Sequence, residues 1–143
     1  MIENDFSSCL FFTTTRLQKI SYKIAEDEFQ KLGMSPSYVY ILLGVHLQPG
    51  ITQKELCKEL HLMPSTLTRL MDKLILKGLV EKKQNGKTSH IYLTSEGKEM
   101  HRNIEKLRLK LHDRYKQILG EEEYQHLIKL TNESAKLLEL DYL

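Results

Sequence analysis

Between Pro64 and Leu74 the chain reads Pro-Ser-Thr-Leu-Thr-Arg-Leu-Met-Asp-Lys-Leu. Leu67, Leu70, Met71 and Leu74 recur at three- and four-residue steps, so a helix gathers them into one apolar stripe. Ser65, Thr68, Arg69, Asp72 and Lys73 then lie on the other side, as does Leu76. The chemistry such a face can do is recognition. Ser65 and Thr66 are short donors for phosphates or base edges, Arg69 one turn on can fork onto a guanine, and Lys73 suits a phosphate. Gln53, at the head of the preceding short helix, and Thr68 complete the polar set. Lys82, Lys83 and Lys87 flank Gln84-Asn85-Gly86, a basic hairpin that can meet a neighbouring backbone or minor groove.

Charge concentrates in the same region. Residues 52–93 hold eight Lys/Arg against four Asp/Glu, whereas residues 1–51 hold four against five and residues 94–143 nine against ten. A basic patch between near-neutral flanks suits a polyanion. The rival meaning, a solvated face with scattered lysines, weighs about equally on charge alone. A winged-helix module that binds protein and no nucleic acid is the alternative of another class, and the local surplus argues against it.

Other chemistries lack residues. The six histidines show no pairing at four-residue spacing and no Cys-x-x-Cys companion, so no metal site is expected. There is no phosphate loop, nucleophile elbow or paired-carboxylate signature, so the chain is expected to be no enzyme and to need no cofactor. Cys57 suits core filler. Cys9, near the start of the first helix, is open to two meanings: a thiol sensor of oxidants, or a small hydrophobe on an interface helix. The second weighs slightly more.

The elements that must position these groups are mostly helical. Apolar residues Phe6, Leu10, Leu17, Ile20 and Ile24 predict one helix from about Phe6 to Leu32, capped by Gly33. A second helix, from Pro36 to about Leu47, is apolar around most of its circumference and should be the most buried. Thr52-Gln53-Lys54-Glu55 has the capping-box form and opens a short helix to Leu60. The Pro64 helix runs to Lys77 and closes at Gly78. Leu79–Lys83 and His90–Leu93 read as two strands flanking Gln84-Asn85-Gly86-Lys87, where Asn and Gly both tolerate positive φ. Thr94 caps a long helix with Met100, Ile104, Leu107, Leu111, Tyr115 and Ile118 at heptad-like spacing. Gly120 ends it before a last helix reaching about Leu140. The longest apolar run, Val39 to Val45, falls far short of the ~20 residues that span a bilayer. The polar, acidic start predicts no secretory signal and a cytoplasmic chain.

Helix, capped short helix, turn, polar-faced helix and basic hairpin make a winged helix-turn-helix. The segments Ile51–Leu56, Pro64–Leu74, Lys77-Gly78-Leu79-Val80 and Leu93-Thr94-Ser95-Glu96-Gly97 resemble the MarR family of bacterial transcriptional regulators. The resemblance extends to the long helices at both ends. It implies a mainly α chain with a small two-stranded β-wing, divided into an N-terminal dimerisation helix (1–34), a DNA-binding domain (35–95) and C-terminal dimerisation helices (96–143). It also implies a homodimeric repressor on a pseudopalindromic double-stranded operator, released by a small aromatic ligand or by cysteine oxidation. Two departures stand out. Met63 occupies the usual Ser/Thr cap position, leaving Pro64 to start the helix. The wing tip lacks the family's Asp and paired Arg, so its lysines are expected to anchor phosphates.

Overall fold

The computed structural model describes residues 6–142, which divide into two compact units, one ending at Leu107 and one beginning at Arg108. The chain runs α1 (Leu10–Phe29), a 3₁₀ turn (Gln30–Leu32), α2 (Pro36–Leu47), β1 (Ile51–Thr52), α3 (Gln53–Leu60), α4 (Pro64–Leu76), β2 (Val80–Asn85), β3 (Thr88–Leu93), α5 (Ser95–Leu119) and α6 (Glu121–Tyr142).

The first helix differs from expectation. A separate helical turn at Phe6 and Ser7 ends before Cys9, whose extended backbone (φ −98°, ψ 118°) precedes α1. Ser7 and Ser8 explain the break, because short hydroxyl side chains favour turns and caps over helix interiors. Along α1 only Glu28 and Phe29 are buried. Leu10, Phe11 and Ile20 are 64%, 82% and 54% exposed, leaving an apolar surface in water.

The core of the first unit lies between α2 and the helix-turn-helix. Val39, Ile41 and Leu42 of α2 are fully buried, as are Leu56 of α3 and Leu67, Met71 and Leu74 of α4. The capping box at α3 is complete: the Glu55 amide donates to Thr52 Oγ1 and the Thr52 amide donates to a Glu55 carboxylate oxygen. The Thr52 amide, and then Thr52 Oγ1, which also donates to that carboxylate, favour its ionised form and hold its pKa below the ordinary value of 4.5. A carboxyl depressed on folding stabilises the fold above its unfolded pKa, and that contribution fades as pH falls through the folded one. Thermal melts between pH 6 and 3 should therefore show Glu55→Gln losing part of the acid sensitivity of the parent. Identical pH profiles would exclude the cap as a source of that sensitivity.

A third, two-residue strand joins the expected hairpin. The sheet order is β1-β3-β2, all antiparallel, with Ile51 opposite Ile91 and Lys82 opposite Ile91 on its other side. The hairpin turn also differs. Asn85 pairs with Thr88 and ends its strand, so Gly86 and Lys87 are the two loop residues. Only Gly86 has positive φ (62°) there, so the glycine alone of the Asn-Gly pair uses the conformation both tolerate.

Thr94 caps α5: its Oγ1 accepts from the Gly97 amide and donates to the Gly78 carbonyl. Gly97 is required by close approach, since a Cβ there would lie 1.9 Å from the Leu79 carbonyl oxygen. In the second unit His112 Nδ1 and Tyr124 Oη are hydrogen-bonded, and the Tyr115 and Tyr124 rings stack with centroids 6.2 Å apart. Among the described residues, no helix is long and apolar enough to cross a membrane.

Candidate nucleic-acid interface

Met63, extended and without a side-chain cap bond, hands the start of α4 to Pro64. From there α4 divides as its periodicity requires. Leu67, Leu70, Met71 and Leu74 are buried, whereas Ser65, Thr68, Arg69, Asp72 and Lys73 are exposed and Thr66 is half-buried. Leu76, 88% exposed, remains on the polar side, and nothing in the structure explains it.

Three side chains join α4 to its neighbours. Gln53 Nε2 donates to Thr68 Oγ1 at 3.3 Å, and Thr68 Oγ1 donates to the Pro64 carbonyl at 2.9 Å. Lys82 Nζ donates to Gln53 Oε1 at 2.5 Å. The strand register explains why Lys82 can reach. Directly opposite residues of an antiparallel pair project to one side, and Lys82 faces Ile91, which is fully buried. Lys83 projects to the other side, where its ammonium lies 4.9 Å from the Tyr92 ring centroid and 3.7 Å from Glu81. Lys87, in the hairpin loop, is exposed. The expected wing cations therefore divide between two sheet faces, which a list of lysines along a strand does not reveal.

A second feature was missed by sequence reasoning. A cavity of about 460 Å³ is lined by Val45, His46, Pro49, Tyr92, Leu93, Lys98, His101 and Arg102. Within that lining the His46 and His101 rings stack on each other, centroids 3.7 Å apart, and His101 Nε2 lies 3.7 Å from Glu105. Lys98 and Arg102 stand one α5 turn apart, and no carboxylate belongs to the lining. The partners are 55 positions apart in sequence, so local spacing carries no sign of the pair.

The cysteines are both free. Cys9 is exposed at the N-terminal boundary of α1. Cys57 is partly buried, and burial pushes its thiol pKa up, away from the reactive thiolate. No group of three or more potential metal ligands occurs among the described residues.

Comparison with known proteins locates the fold. Residues 32–88 match the model of the MarR family. The HTH-type transcriptional repressor MdtR of Bacillus subtilis is 26% identical over 127 residues, covering 87% of this chain and 81% of that protein. The solved transcriptional repressor CouR bound to p-coumaroyl-CoA is 20% identical with a TM-score of 0.85, covering 92% of this chain and 94% of that one. A mutant MarR from E. coli complexed with operator DNA is 22% identical with a TM-score of 0.80, covering 87% and 92%.

Proposed function

Because the chain carries the MarR-family winged helix, we propose that it is a sequence-specific DNA-binding transcriptional regulator, a dimeric cytoplasmic repressor. The observation that carries the reading is the exposed Ser65-Arg69-Lys73 face of α4 beside a basic wing. A major groove about 12 Å wide admits one helix, whose outward side chains then meet base edges. In this assignment Ser65, Thr66 and Arg69 approach bases and nearby phosphates, Lys73 takes a phosphate, and Lys83 and Lys87 anchor the wing to the flanking backbone. Gln53, Thr68 and Lys82 belong to the same surface. Residues 35–95 form the DNA-binding domain, and segments 1–34 and 96–143 dimerise. A mobility shift with the DNA upstream of the gene, repeated at rising salt, tests the reading. Affinity that does not fall with salt would sink it, because phosphate contacts release counterions.

We assign release from DNA to a small aromatic ligand in the Val45-His46-Tyr92-Arg102 cavity. Rings and aliphatic groups line it, and two cations stand on one side. Titration with benzoate-type acids should give Arg102→Ala an affinity roughly ten- to a hundredfold below the parent, the loss of one charge-assisted hydrogen bond. Equal affinities would place the ligand elsewhere.

A further inference from the structure

We infer that Gln53 and Lys82 are positioning residues: they form a strut that sets the wing against the recognition helix, and Lys82 is not a phosphate ligand. This rests on the DNA-binding reading. The chain of bonds runs Lys82 Nζ to Gln53 Oε1, Gln53 Nε2 to Thr68 Oγ1, and Thr68 Oγ1 to the Pro64 carbonyl. It therefore spans β2, the first residue of α3 and the first turns of α4. Each member uses an atom that would otherwise face the duplex. Gln53 uses both its oxygen and its nitrogen, one toward each neighbour.

Geometry separates Lys82 from the other wing cations. Its register partner Ile91 is buried and pairs in turn with buried Ile51, so Lys82 leaves the sheet on the side of the helices. Lys83 leaves on the opposite side, and Lys87 sits in the two-residue loop. A lysine whose ammonium is held by a glutamine oxygen of the same chain is a tether. A lysine at an unconstrained tip is a counterion for a phosphate. The strut lets the wing and α4 approach DNA as one rigid piece, which lowers the ordering cost of binding.

The test compares Lys82→Met, Gln53→Ala and Lys87→Met on one duplex carrying the operator across a salt series. Lys87→Met should flatten the slope of log affinity against log salt by about one unit. Lys82→Met should weaken binding roughly three- to tenfold with the parent slope retained. The double variant with Gln53→Ala should lose no more than the larger single loss, since both break one strut. A Lys82→Met slope lower by about one unit, or additive losses, would overturn the inference. In the free protein the Gln53 side-chain amide resonances should move on Lys82→Met, and unmoved resonances would also overturn it. Failure of the parent to bind any duplex would instead strike the DNA-binding reading, leaving the amide measurement to decide the strut.

Discussion

Replacing Leu17 and Ile20 together by lysine is expected to turn a dimer into monomers of 16.8 kDa and to lower operator affinity by at least about 100-fold. The two residues lie three apart on α1, in line with Leu10, and Ile20 is 54% exposed in the single chain. Burying such a side chain is worth about 1.5–3 kcal/mol, and a two-fold interface uses every contact twice. Lysine would place four charges in that contact, against desolvation. The fold of each subunit should survive, because neither residue is in the core. Loss of DNA binding follows from geometry. Two recognition helices on one rigid dimer engage both half-sites, and the second contact is made at high effective concentration. Light scattering and a mobility shift on the same samples check both parts. A parent protein that already scatters as a single chain at micromolar concentration would refute the dimer.

Arg69→Ala should cost about 1–3 kcal/mol of operator binding while leaving affinity for random duplex within about twofold. Arg69 is exposed between buried Leu67 and Leu70, so truncation opens no cavity in the core. A guanidinium offers two parallel donors to the O6 and N7 acceptors of one guanine, and random DNA gives it only a phosphate. Arg69→Lys should recover the nonspecific component and little of the preference, because a point charge lacks the fork. Competition of labelled operator against unlabelled operator and random duplex measures the ratio directly. Equal loss on both duplexes would reduce Arg69 to a phosphate contact.

Where a local rule had one answer, the sequence was sufficient. The capping box at Thr52 and Glu55 depends on four consecutive residues, and it forms as the pattern demands. The buried stripe of α4 depends on a helical repeat and a single apolar side, and all four of its members are buried. Even the uncapped start at Met63 was legible, because Pro64 supplies a helical φ without needing a donor. The first helix was misread at its start, where apolar periodicity through Phe6 and Leu10 outvoted the turn preference of Ser7 and Ser8. The hairpin was placed correctly and its strands were drawn too short. Asn-Gly marks the loop locally, and the pairing of Gln84 with Ser89 and Asn85 with Thr88 extends the ladder beyond Lys83 and His90.

Residue order alone therefore determined that this chain makes a helix with a basic, hydroxyl-bearing outer face beside a positively charged hairpin, since periodicity and charge are local properties. Only the tertiary structure decided which lysine of the wing bonds to Gln53, and that His46 meets His101 beside Lys98 and Arg102. Strand register and helix packing bring together residues far apart in sequence, and no local spacing encodes where such a pair will meet.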